Sequence, residues 1–188
     1  MLGIPGLLKI STADFIVRTA YQMGKTPLLP LFAASLGANA TILGLIVSVS
    51  TLTGTLLKPI FGFLSDRWGR WIWLLTGTLL FAGIPFLYPW VTTPEELLIL
   101  RLIHGLATAI YGPVTIAWVI EQGHQQGNFA RNRAERLGWF GMARSGGYLL
   151  GPTIAAALLL VFEPSTVFTL IGLLSSTALL PVLLLKNS

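Results

Sequence analysis

No cysteine occurs in the 188 residues, so neither a disulfide framework nor a thiolate metal site can be built. Charge is almost as scarce. Asp, Glu, Lys and Arg make up 10% of the chain, against roughly 25% in an ordinary soluble domain. With so few charges beside a hydrophobic share of 54% and a mean hydropathy of +0.76, the sequence excludes disorder, fibrous repeats and nearly every soluble globular class. A core of 20.3 kDa cannot hide this much apolar surface, so the solvent has to be a bilayer. The formal charge of +5 then marks cationic loops on a cytoplasmic face, with no nucleic-acid partner.

What is present is apolar sequence, cut by turn and charge signals into six stretches at about residues 12–36, 42–64, 71–90, 96–120, 137–162 and 166–185. Six spans of about 20 residues would use about two thirds of the length. The reading is one transmembrane domain over 1–188, all-α, with polar loops at 65–70 and 121–136. Lys9, Arg67, Arg70, Arg131, Arg133, Arg136 and Lys186 fall at the amino terminus, those two loops and the carboxyl end, while the other loops carry only Glu95, Glu96 and Glu163. This asymmetry predicts cytoplasmic termini. The first stretch is too long and too charged for a cleavable signal.

The stretches differ in kind. The first and fourth carry ionisable residues, the second and fifth small ones, and the third and sixth no charge at all. The series polar, small, apolar occurs twice, and with three helices per unit the second copy enters the membrane inverted, as in many transporters. In the first stretch Asp14, Arg18, Tyr21, Gln22 and Lys25 share one helix face; in the fourth, Arg101, His104, Thr108, Tyr111, Thr115, Trp118 and Gln122 do. Such groups are expensive in hydrocarbon and face a bundle interior or a watery cavity. Asp14 and Arg18 read as an i,i+4 pair near the inner surface, and Glu121 as a partner for a cytoplasmic arginine such as Arg144. Lys25, about 20 Å from the inner end of its helix, and Arg101, about 8 Å from the outer end of its own, have no carboxylate at their depth. Both are expected in a central cavity, facing an anionic substrate or counter-group, and His104 is either a proton relay or a packing residue.

Gly62-Phe63-Leu64-Ser65-Asp66-Arg67-Trp68-Gly69-Arg70 resembles the hallmark loop of the major facilitator superfamily, with Gly62, Asp66, Arg67, Gly69 and Arg70 at matching positions and Trp71 where a further basic residue is usual. Arg101 and Gly105 resemble that family's Arg-x-x-x-Gly motif. Gly138, Gly147, Gly151 and Pro152 resemble the fifth-helix motif of its drug-proton antiporter branch, with Ala155 and Ala156 in place of that motif's paired glycines. The resemblance covers essentially the whole chain and implies half of a twelve-helix fold: the amino-terminal six helices, as two inverted three-helix repeats. It implies an integral protein of a bacterial-type inner or plasma membrane, working by alternating access as a proton-coupled efflux antiporter of a small solute. Asp14, Arg101, His104 and Glu121 are then the proton-coupling set, and the 62–70 loop is the conformational switch. Its partners are lipid, a small-molecule substrate, the proton and a second six-helix half, either a homodimer copy or a missing carboxyl-terminal half. The end at Lys186-Asn187-Ser188 favours the latter expectation.

The rival readings are an intramembrane enzyme and a non-transporting membrane scaffold or fragment. For the enzyme, Glu95, Glu96 and Arg101 are spaced one residue too widely for a Glu-Glu-x-x-x-Arg protease signature. His124 and Asn128 lie on the opposite side, and neither a nucleophile elbow nor a His-Glu-x-x-His zinc motif is present. The expectation is no enzyme, no cofactor and no metal.

Overall fold

The computed structural model describes residues 3–121 and 129–186, and all of the regular structure described is helical. Gln122, His124 and Asn128, like Asn187 and Ser188, lie outside the described residues, as does the side chain of Arg131.

The first rod comprises α1 (Gly3–Met23), a five-residue π-type turn (Gly24–Leu28) and α2 (Leu29–Ser35). The break has a local cause. Pro27 disfavours helical geometry in the residue before it, and Thr26 is extended at φ −145°, ψ 123°. Gly37, at φ +83°, turns the chain, and the Asn39 side chain accepts a hydrogen bond from the Ile42 amide at 2.9 Å, capping α3 (Ala40–Trp68). α4 (Arg70–Gly83) tightens into a 3-10 stretch (Ile84–Trp90) where Pro85 and Pro89 recur. α5 (Pro94–Glu121) opens on a reciprocal cap: Thr93 Oγ1 accepts from the Glu96 amide, and Glu96 Oε2 accepts from the amides of Thr92 and Thr93. α6 (Phe129–Leu159) follows, then α7 (Pro164–Thr177) and α8 (Leu179–Leu185) as one nearly continuous rod.

Both polar loops are shorter than the sequence predicts. In the expected 65–70 turn, α3 runs on through Trp68 and α4 starts at Arg70, leaving Gly69 alone at φ +91° to reverse the chain. In the expected 121–136 loop, α6 is already helical from Phe129, since Arg133, Ala134, Glu135 and Arg136 are good helix formers that need no membrane. The first rod likewise begins at Gly3, ahead of the expected residue 12.

Among the described residues, four helical segments are long and apolar enough to cross a membrane: Ala40–Trp68, Arg70–Trp90, Pro94–Glu121 and Pro164–Leu185. α1 and α6 carry more of the charge and glycine, and they pack along each other. α3 packs along α5 in the same way. α4 lies on α5 and α7, while α1 lies on α7 and α8. The core sits where α1, α4, α5 and α7 converge, around Phe81, Tyr88, Tyr111 and Phe168, with Tyr88 and Phe168 stacked at 4.1 Å. By contrast α3 and α6 present broad exposed apolar faces, including Leu52, Leu56, Phe63, Trp139 and Leu149.

Candidate functional site

The polar stripes of α1 and α5 are not one path. The structure divides them into two buried clusters, named outer and inner after the expected orientation, with the hallmark loop forming a third beyond the inner one.

The outer cluster is built on glycine contacts. Gly105 faces α3 so closely that a Cβ there would lie 3.0 Å from the Ser50 carbonyl oxygen and against Thr53, and Gly54 meets Thr108 and the Gly105 carbonyl from the other side. One turn before Gly105, Arg101 uses this close approach to reach across. Its Nε donates to the Ile46 carbonyl oxygen at 3.4 Å, Nη1 to the Tyr88 hydroxyl at 3.3 Å, and Nη2 to Ser50 Oγ. The Arg-x-x-x-Gly spacing therefore has a mechanical meaning: the glycine admits the helix that the arginine then binds. Arg101 is 2% exposed, so it is not the open cavity lining expected of it. Its Cζ lies 6.0 Å from the Tyr21 ring centroid. Lys25 Nζ lies 6.0 Å from the same centroid and 3.3 Å from Thr51 Oγ1. The Tyr88 hydroxyl contacts His104 Nδ1 at 3.0 Å, and His104 Nε2 is buried with no partner.

The inner cluster is ionic. Arg144 of α6 grips Asp14 of α1 in a bidentate pair, Nε to Oδ2 at 2.9 Å and Nη2 to Oδ1 at 2.8 Å, and adds Thr115 Oγ1 at 3.1 Å. Arg18 Nε stands 3.6 Å from Asp14 Oδ1, and Arg18 Cζ lies 5.9 Å from the Tyr111 ring. Here too glycines set the approach. A Cβ at Gly147 would lie 3.0 Å from the Phe15 carbonyl oxygen, and one at Gly151 would lie 2.7 Å from that of Thr19 and 2.6 Å from Gln22 Cβ. Gly138 has open space around it, and Pro152 lies inside α6.

These contacts correct one expected pairing and add a partner to another. Arg144 is held by Asp14, and Glu121 instead meets Arg70 at 2.6 Å. Asp14 is accordingly not simply an i,i+4 partner of Arg18. Arg144 is the site residue that sequence reasoning misplaced. Its signal was its position three residues before Gly147, on the face that α1 must approach.

In the hallmark loop Arg70 also binds Asp66 at 2.8 Å, tying the α3–α4 turn to the end of α5. Around it lies an open hollow of about 600 Å³ walled by Trp68, Trp71 and Trp118. Arg67 is exposed, and Gly62 has open space where a side chain would stand. Trp71, which replaces a usual basic residue, donates its indole N–H to the Val182 carbonyl at 3.3 Å and lies 4.9 Å beneath Lys186 Nζ. A cation is thus restored beside that position from the far end of the chain.

Of the rival features, Glu96 is a helix cap, and His124 and Asn128 fall outside the described residues. Among the described residues no group of His, Asp and Glu could hold a metal ion.

A family model described as Major Facilitator Superfamily matches residues 14–188. The chain belongs to the major facilitator superfamily. Multidrug resistance protein 1 of Bacillus subtilis (strain 168) is 28% identical over 161 residues, covering 86% of this chain and 40% of that protein. Quinolone resistance protein NorA of Staphylococcus aureus (strain N315) is 26% identical over 130 residues, covering 68% of this chain and 32% of that protein. The match thus spans well under half the length of these curated relatives. As a member of the superfamily with four apolar helices of spanning length, the chain is an integral membrane protein.

Proposed function

We propose that this chain is a six-helix unit of a secondary transporter that moves a small organic solute across a bacterial plasma membrane by alternating access, in the direction of efflux and in exchange for protons. The observation that carries the reading is the packing pattern. Exchanging the first three rods for the last three turns the α3–α5 contact into the α6–α1 contact, and the α4–α5 contact into the contact of α7 and α8 with α1. That exchange supports an inverted repeat, the architecture on which alternating access is built. Family membership and the names of the two relatives support transport of drug-like solutes, and support a carrier rather than an enzyme.

The clusters take separate roles in this reading. The inner Asp14–Arg144 pair holds α1 to α6, and the Asp66–Arg70–Glu121 group holds the inner ends of α3, α4 and α5. Ion pairs at one membrane face stabilise one conformation and must open for the other. Asp14 and Glu121 are the carboxylates whose protonation would release them, while Arg101 and His104 lie in the outer cluster. The termini lie in the cytoplasm. A second six-helix unit completes the carrier by covering the exposed faces of α3 and α6.

The test is flux into proteoliposomes under an imposed pH gradient, using acidic, neutral and basic fluorescent solutes. The expected result is saturable uptake of one class, collapsed by dissipating the gradient, in liposomes carrying this chain together with its second unit. Equal flux into protein-free liposomes would overturn the reading.

A further inference from the structure

We propose that Lys25, Tyr21 and His104, backed by Arg101, form a subsite for a single oxyanion: a carboxylate group borne by the transported solute. The inference rests on the transport reading above and names the substrate class for it.

Charge is the first observation. Among the described residues no carboxylate lies within ion-pair distance of Lys25 or Arg101. Asp14 is occupied by Arg144 and Arg18, Asp66 and Glu121 by Arg70, and Glu96 by its own helix start. Two cations therefore stand 6.0 Å from the centroid of one aromatic ring inside the membrane with neutral oxygens around them, an arrangement that is costly in hydrocarbon unless an anion joins it.

The second observation is the direction of the hydrogen bonds. Guanidinium only donates, so the Tyr88 oxygen accepts from Arg101. The phenol has one hydrogen, and its remaining contact is His104 Nδ1 at 3.0 Å. With that hydrogen given to Nδ1, the imidazole keeps its own N–H on Nε2, the nitrogen that is buried and unpartnered. Lys25 offers three N–H groups and spends one, at 3.3 Å, on Thr51. The free hydrogen-bonding capacity of Lys25 and His104 is thus all donor. A cationic ligand would meet the like charge of Lys25, whereas a carboxylate oxygen meets donor groups.

The third observation is space. A cavity of about 10 Å³, one water's worth, lies between Tyr21, Gly24, Arg101, His104 and Phe168. It is too small for a solute as it stands. The Tyr21 ring forms part of its wall and has Lys25 Nζ and Arg101 Cζ each 6.0 Å from its centroid. Lys25 is half-buried and meets an arriving anion first; rotation of Tyr21 then opens the way to His104 and Arg101.

The test compares three ligands of one shape on the purified 188-residue protein in detergent, followed by tryptophan fluorescence: benzoate, benzamide and protonated benzylamine. Benzoate is expected to bind saturably and at least roughly tenfold more tightly than the other two. Lys25→Gln is expected to lose roughly that factor, Lys25→Arg to keep it, and His104→Gln to weaken benzoate without creating affinity for benzylamine. Equal binding of benzamide, tighter binding of benzylamine, or full benzoate affinity in Lys25→Gln would each overturn the proposal. Saturable benzoate binding without flux would leave the subsite standing and remove the transport reading; flux without benzoate binding would do the reverse.

Discussion

Two arginines buried in the same bundle are satisfied in opposite ways. Arg144 meets a carboxylate in bidentate geometry, and Arg101 meets a hydroxyl, a phenol and a carbonyl. Each stands about one turn from a glycine that lets a partner helix come close, so the backbone device is shared and the electrostatics are not. A buried cation with its anion is a fastening whose loss leaves an uncompensated charge. A buried cation among neutral oxygens holds its helix by hydrogen bonds but keeps its field, which makes it the end that can respond to a charged visitor.

The largest effect should come from breaking the ionic end. Asp14→Asn leaves Arg144 and Arg18 without their anion and should cost about 3–5 kcal/mol, read as a fall in stability in denaturant titrations in mixed micelles. The double variant Asp14→Asn, Arg144→Gln should recover part of that loss. Next come the glycines. Gly151→Ala and Gly105→Ala should each cost about 1–3 kcal/mol by overpacking, with Gly151→Ala the worse because its Cβ would lie 2.7 Å from the Thr19 carbonyl oxygen, against 3.0 Å from that of Ser50 at Gly105. A smaller effect is expected at the neutral end. Arg101→Gln removes a charge that has no anion but leaves buried acceptors unpaired, and should cost about 1–2 kcal/mol, while abolishing benzoate binding. If Arg101→Gln proved as destabilising as Asp14→Asn, the distinction between the two arginines would collapse. The smallest effect belongs to Asp66, 62% exposed at its side chain. Asp66→Asn should change stability by less than about 1 kcal/mol, and that change should vanish at high salt, because water and ions screen the pair.

Much of the fold is legible in the sequence for a simple reason: hydropathy responds to the bilayer one segment at a time. The punctuation at Gly37, Gly69 and Thr93 marks real helix ends, since positive φ and capping are local properties. Loop lengths are less legible, because a helix that leaves the membrane no longer needs apolar residues. α6 therefore starts at Phe129, well ahead of its apolar run.

The residues that would share a face were legible too: Asp14, Arg18, Tyr21 and Lys25 on α1, Arg101, His104 and Tyr111 on α5. Helical periodicity dictates as much. Which of them meet is another matter, because partners come from other helices. Arg144 reaches Asp14 across 130 positions, and Arg101 reaches Ser50 across 51. The helix-against-helix register that brings them together is set where glycines let two backbones touch. The sequence by itself determined that this chain lives in a membrane, how its helices are divided and which faces are polar, because those follow from local hydropathy and 3.6-residue geometry. The tertiary structure alone decided which arginine has an anion and which has none, because a charge pair depends on distance in space.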